Sequence, residues 1–186
     1  MSSAVSWPDH LLSLAEWDAL PEDNTRRYEL VEGILLVSPR PVSDHQWAVS
    51  RLVRQVGPQL PDHLGELSDV EVVLFSDFPA TVRAPDFAVV PTAVAKGNPS
   101  RYRAEDVLLA VEVISPGSRR TDCVFKLNEY AEAGIENYWI VDLERPVTIT
   151  AFELVGQTYK LVVETSGTLS VTAPVPLMVD VQALVP

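Results

Sequence analysis

The 186-residue sequence is short of several things that would each define a function class. It holds one cysteine, Cys123, so no internal disulfide can form and a reducing compartment suits it. Its three histidines, at 10, 45 and 63, lack the spacing of a zinc site. Only 8 glycines occur, and none builds a Walker loop, a Gly-x-Gly-x-x-Gly fingerprint or a Gly-x-Ser-x-Gly elbow, which removes the commonest nucleotide-loop and esterase readings. Basic residues are scarce too. The 14 Lys plus Arg face 26 Asp plus Glu, giving a net charge of −12. Loose, sequence-independent adhesion to nucleic acid is thereby disfavoured, while a local basic lip around a site is not. No apolar run reaches the roughly 20 residues of a membrane helix. The first nine residues have neither the basic nor the apolar segment of a secretory signal. A soluble, cytoplasmic protein with no membrane partner is the expectation.

A hydrophobic share of 47% with 15 prolines predicts a compact α/β domain of many short elements. Residues 1–186 read as a single domain, with a core at about 10–160 and a short C-terminal extension. The spacing predicts a helix over 11–20, a hairpin of 27–31 and 34–38 around Glu32-Gly33, and a helix from Ser43 or Asp44 to about 56. Strands follow at 67–74, 82–90 and 107–114. A helix capped by Thr121 or Asp122 runs to Ala133-Gly134, then come strands at 137–141, 147–153 and 159–164. This order predicts one central mixed β-sheet flanked by helices on both faces. The strands at 107–114 and 137–141 are expected to be parallel neighbours joined by a helical crossover.

Within that frame, Glu112 interrupts the apolar run Val107-Leu108-Leu109-Ala110-Val111-Glu112-Val113-Ile114. A lone carboxylate in a strand buried on both faces costs several kcal/mol unless a proton, a cationic side chain or a bound cation neutralises it. Asp86 follows Pro85 in a second strand-like run, and two such acids in one pocket do not both stay ionised without a counter-charge. A divalent metal on Asp86 and Glu112 resolves both problems, and hard oxygen ligands suit Mg²⁺ or Mn²⁺. The competing account of Glu112 is a buried ion pair with an arginine, Arg83 being the candidate, and that of Asp86 is a turn residue. Glu29 reads equally as a site carboxylate or a solvated strand residue, and Glu32 as a turn residue. Lys126 shares a helix face with Tyr130, and is either a solvated lysine or a charge aimed at the acidic strands. His45 reads first as a capping or surface residue, Arg119 and Arg120 as a solvated pair or phosphate contacts, and Cys123 as packing.

The order Glu29, Pro85-Asp86, Glu112, Lys126 resembles the Pro-Asp…Asp/Glu-x-Lys pattern of restriction-endonuclease-like nucleases. More closely, Arg-Tyr-Glu-Leu-Val-Glu-Gly (27–33), Ser-Pro-Arg-Pro-Val-Ser-Asp-His (38–45) and Ala-Pro-Asp-Phe-Ala-Val-Val (84–90) are similar to the Uma2 family of that PD-(D/E)XK superfamily. So are Val-Glu-Val-Ile-Ser-Pro-Gly-Ser (111–118) and the stretch 122–142. The resemblance implies a sheet core flanked by helices, a divalent metal and hydrolysis of DNA phosphodiesters. It departs at Ile114, which stands where the superfamily pattern has lysine, and Lys126 on the next helix is the candidate to replace it. The combined expectation is a metal-dependent endodeoxyribonuclease with Asp86 and Glu112 as metal ligands and Glu29 and Lys126 completing the catalytic set. A homodimer is expected because cutting two strands favours two sites. The rival is a nuclease-fold binding or regulatory module with weakened chemistry, supported by the −12 charge and Ile114.

Overall fold

The computed structural model describes residues 8–21, 26–38, 41–114 and 121–186, with the backbone alone at 121–123. Helix α1 (Leu14–Asp18) opens on a reciprocal cap, in which Ser13 accepts from the Glu16 N–H and the Glu16 carboxylate accepts from the Ser13 N–H. It is shorter than the predicted 11–20 because Ser13 is extended and serves as the N-cap, while the preceding Leu12 N–H bonds the Gly33 carbonyl at 2.7 Å. Strands β1 (Arg27–Val31) and β2 (Ile34–Ser38) form the expected hairpin. Glu32 and Gly33 close it at φ 47° and 77°, the left-handed pair that a two-residue turn requires. A Cβ at Gly33 would also meet the Leu11 Cβ at 2.9 Å.

Helix α2 (Ser43–Val56) buries His45, Ala48, Leu52 and Val56, a stripe at helical spacing. Its N-cap is Val42, which makes no side-chain cap bond, rather than Ser43 or Asp44. Next come β3 (Leu64–Leu67), β4 (Val72–Phe75), β5 (Thr81–Arg83), β6 (Phe87–Pro91), α3 (Thr92–Ala95), β7 (Tyr102–Arg103) and β8 (Leu109–Ile114). Helix α4 (Thr121–Glu132) precedes β9 (Asn137–Asp142), β10 (Thr148–Val155), β11 (Thr158–Thr165), β12 (Thr168–Val171) and β13 (Leu177–Asp180).

The single predicted sheet is in fact two sheets and a ribbon. A six-stranded mixed sheet runs β11-β10-β9-β8-β6-β3, a five-stranded one runs β2-β1-β5-β4-β7, and β12 pairs with β13. Both predicted long strands, 67–74 and 82–90, break where the chain passes from one sheet to the other. At the first crossing Asp69 takes φ 56°. At the second stands Pro85, which has no N–H to give to a ladder, so neither sheet can run through it.

In the larger sheet β8 and β9 are parallel neighbours as predicted, with Glu112 beside Ile140 and α4 as the crossover. All six residues of β8 are buried, because both of its faces are covered. On one face Val111 and Val113 join Leu52 and Val56 of α2 in the main apolar cluster. On the other, Ala110 and Ile114 pack with Tyr130 of α4, Ile135 and Tyr138.

The segment after residue 160 is a correction to the expected appendage. Leu169, Leu177, Val179, Val181 and Leu184 are fully buried against α2 and β8 in the same cluster. The side-chain amide of Gln55 exchanges two hydrogen bonds with the backbone of Asp180, and that of Gln59, just past the end of α2, exchanges two with Met178, all at 2.7–3.2 Å. Arg51 donates to the Ala183 and Val185 carbonyls, both at 2.7 Å. The ribbon is therefore stitched to α2, the helix that carries His45. Among the described residues no helix is long and apolar enough to cross a membrane.

Candidate active site

Strands β6 and β8 are antiparallel with Phe87 opposite Val111, so Asp86, one step before β6, stands at the level of Glu112. Asp86 is 4% exposed and accepts at both oxygens. Oδ1 takes Arg27 Nη1 at 2.5 Å, while Oδ2 takes the Val113 N–H at 2.7 Å and faces His45 Nε2 at 3.1 Å. Burial pushes its pKa up, but His45, Arg27 and the Val113 N–H outweigh that and hold it at about 2. Asp86 is thus gripped by β1, α2 and β8 at once.

Glu112 is 5% exposed and lies toward α4. Its Oε1 accepts from the Tyr130 hydroxyl at 2.7 Å and sits 3.0 Å from Lys126 Nζ. Lys126, 4% exposed, also lies 3.1 Å from Glu29 Oε1. Lys126 and Tyr130 are one turn apart on α4, so both reach the same carboxylate. Burial drives the Glu112 pKa up to about 7, with Lys126 offsetting only part of that cost and Asp86 adding to it. For Lys126 the opposite holds: burial lowers its pKa, but Glu112 and Glu29 more than compensate and it stays a cation.

Glu29 on β1 is buried, not solvated. Its Oε1 accepts from the Ala84 N–H and its Oε2 from Arg83 Nη1, both at 3.1 Å. Burial raises its pKa, but Lys126, Arg83 and the Ala84 N–H bring it below the ordinary value. Arg83 continues to Glu129 of α4 through two parallel bonds of 2.7 and 2.9 Å. The suggested Arg83–Glu112 pair is therefore corrected. Arg83 serves Glu29 and Glu129, and the cation beside Glu112 is Lys126.

The sheet crossing at Ala84-Pro85-Asp86 supplies both a backbone donor to Glu29 and the carboxylate of Asp86, which explains why Glu29, Asp86, Glu112 and Lys126 converge. Ile114 is buried in the apolar cluster below α4. The ammonium near Glu112 comes from the helix facing the strand. His45 is neither a cap nor a surface residue. The residues missed in the sequence are Arg27 and Glu129. The signal for Arg27 was its position two residues before Glu29 on β1, which sets both side chains on one face of the strand. Arg119 and Arg120, and the side chain of Cys123, lie outside the described residues.

Charge counting tests the fit to a metal. The linked carboxylates Glu29, Asp86, Glu112 and Glu129 face the cations Arg27, Arg83 and Lys126. These seven side chains sum to zero when Glu112 is protonated and to one negative charge when it is ionised, before the exposed Asp69 on Arg27 and any charge on His45 are counted. A hard cation bound there would compete with a proton for the same carboxylate. Among the described residues no group of three or more His, Cys, Asp or Glu converges as metal ligands. The donors at Asp86 and Glu112 are hard carboxylate oxygens, the type that Mg²⁺ takes one or two of while keeping waters.

A family model described as "Uma2: Putative restriction endonuclease" matches residues 14–183. The chain belongs to the Uma2 family. This Uma2 chain is also similar to a crystal structure described as "a putative nuclease belonging to DUF820 from Anabaena variabilis ATCC 29413". The TM-score is 0.69 at 20% identity, covering 93% of this chain and 97% of that one. At that identity the likeness is one of fold, and the Uma2 fold here is the restriction-endonuclease-like α/β arrangement. No curated protein matches the chain. The family match runs through the β12–β13 ribbon, in keeping with its place in the core.

Proposed function

We propose that this Uma2 chain is a Mg²⁺- or Mn²⁺-dependent endodeoxyribonuclease that hydrolyses DNA phosphodiester bonds in the cytoplasm, acting as a homodimer. The observation that carries the reading is the buried ammonium of Lys126 between Glu112 and Glu29, at 3.0 and 3.1 Å, beside Asp86. Asp86 and Glu112 would hold the cation. Bound there, it would polarise a phosphoryl oxygen and make a bound water acidic enough to attack.

The chain's own groups have separable tasks. Lys126 stabilises negative charge growing on the phosphoryl group, the work an in-strand lysine would do at 114. Glu29 positions Lys126 and is itself fixed by Arg83 and the Ala84 N–H. Tyr130 orients Glu112 by donating to Oε1, which leaves Oε2 for a cation. His45 and Arg27 hold Asp86 ionised.

Cleavage of supercoiled plasmid with Mg²⁺ tests this. Wild type should nick DNA and lose the activity in EDTA. Glu112→Gln and Lys126→Met should each cut at least about a hundredfold more slowly, the scale for one positioned charge-stabilising group. Full activity in EDTA, or in Glu112→Gln, would sink the metal mechanism. Binding without cleavage of duplex DNA, single-stranded DNA or RNA would make the chain a binding module instead. Sedimentation of the active species reads the dimer directly.

A further inference from the structure

A cavity of about 600 Å³ lies on the α2 side of Asp86, lined by Arg26, Arg27, His45, Val49, Val53 and Ser68 among others. Its walls are mixed. Val49 and Val53 of α2, with Pro41, make an apolar side, the two arginines make a cationic one, and the carboxylates of Asp69 and Asp86 also line it, each beside Arg27. Arg27 is also poorly satisfied. Its Nη1 binds Asp86, yet Nε and Nη2 are buried and make no hydrogen bond among the described residues. Asp69 approaches Nε no closer than 3.4 Å. His45 Nδ1 is likewise buried and unpartnered, its Nε2 being turned to Asp86. Buried donors are nearly always paired, so a guanidinium with Nη2 unpaired and Nε held only in a 3.4 Å ion pair with Asp69, beside an open cavity, has capacity for a further acceptor.

We propose that this cavity is a binding subsite for one nucleotide of the substrate strand, with its phosphate on Arg27 and Arg26 and its base or sugar against Val49 and Val53. The inference rests on the nuclease reading and names where the strand next to the cut phosphate lies. A guanidinium takes phosphate through two parallel N–H bonds, and Arg27 reaches that geometry by turning from Asp86 into the cavity it already lines. A cation on Asp86 would favour the turn, because it removes the anion that now holds Nη1. The apolar wall accepts any base, so the subsite contributes affinity and register rather than sequence choice. The volume is of a size to admit a single nucleotide.

The test uses 5′-dTMP, which is a monoester with no diester to cut. Full-length protein is titrated with it in Mg²⁺ and in EDTA, following backbone amides by ¹H–¹⁵N NMR. Saturable shifts are expected at Gln46, Val49, Ser50 and Ser68, tighter in Mg²⁺ than in EDTA and at least about tenfold weaker with thymidine, which lacks the phosphate. Val49→Phe, which fills the cavity and leaves every charge in place, should weaken dTMP by about tenfold or more. Arg26→Gln, an exposed change that does not threaten folding, should weaken it by about threefold to tenfold. Equal binding of dTMP and thymidine, shifts confined to other surfaces, or unchanged affinity in both variants would overturn the subsite. Wild type that cuts DNA without moving these amides overturns the subsite alone. Wild type that binds dTMP here and cuts nothing supports the subsite and overturns the nuclease reading.

Discussion

Asp86 and Glu112 stand at one level of one sheet, yet the two sides of the molecule treat them in opposite ways. On the α2 side Asp86 has a cation, an imidazole and a backbone N–H within 3.1 Å, and its pKa lies at about 2. On the α4 side Glu112 has one ammonium and one hydroxyl, both on the same oxygen, and its pKa lies at about 7. Burial is nearly equal, so the number and kind of partners decides the sign of the shift. The lesson is a division of labour. Asp86 is a fixed charge around which the site is built, and Glu112 is the group that can gain or lose a proton near neutrality.

Unfolding experiments can break this contrast. Asp86→Asn leaves Arg27 buried without its nearest anion and should cost about 3–5 kcal/mol, the scale for halving a buried ion pair. Glu112→Gln at pH 6 replaces a carboxyl that is mostly protonated there and should cost about 1 kcal/mol or less. Urea denaturation of the two proteins, each with its Asp or Glu counterpart intact, compares them directly. Equal losses at pH 6 would mean that Glu112 is as firmly ionised as Asp86.

The pH dependence of stability should carry both signatures. Glu112 goes from 4.5 unfolded to about 7 folded, so the native state holds a proton that the unfolded chain releases across that window. Stability should therefore fall by up to about 3 kcal/mol as pH rises from about 4.5 to 7, and Glu112→Gln should flatten the slope. Asp86 goes the other way, from 3.8 to about 2. Its contribution is present above pH 3.8 and is lost as pH falls toward 2, and Asp86→Asn should remove that acid limb. A Glu112→Gln profile with the wild-type slope would assign the titration to another group.

Metal sharpens the comparison in activity. If a cation displaces the Glu112 proton, each tenfold rise in Mg²⁺ should move the acid limb of the cleavage profile down by as much as about one pH unit. An acid limb that ignores Mg²⁺ would place the titrating proton elsewhere. The smallest effect concerns Tyr130. Tyr130→Phe removes the hydroxyl from Glu112 Oε1 and should cost about 1 kcal/mol and a few-fold in rate, with Lys126 still in place. A loss as large as that of Lys126→Met would promote the hydroxyl from orienting group to participant.

Much of the α4 side could be read from the chain alone. The run at 107–114 is apolar on both faces, so Glu112 had to be an exception, and the spacing of Lys126 and Tyr130 set both on one helical face. The crossover of α4 between parallel strands followed from its length. On the α2 side Arg27 and His45 reach Asp86 from 59 and 41 positions away, and neither contact was legible. Hydrophobic periodicity reports which face of an element is buried, and not what an arginine across a sheet boundary will meet. His45 fell on the buried stripe of α2 with Ala48, Leu52 and Val56, and that stripe was the available sign. The two sheet crossings were hidden by continuous β propensity on both sides of Ser68-Asp69 and of Pro85. The ribbon was missed because its alternation spans only four residues in each strand.

The stitching of α2 to the late ribbon has a consequence for the order of events during synthesis. Every residue assigned to the site has left the ribosome by the time residue 130 emerges, yet the helix presenting His45 is held by backbone carbonyls at 178, 180, 183 and 185. A nascent chain that already contains all the acids and the lysine still lacks the surface on which α2 rests. Maturation of the site is thereby deferred until some fifty further residues have been made, a built-in delay on a chain that would otherwise acquire its reactive groups early.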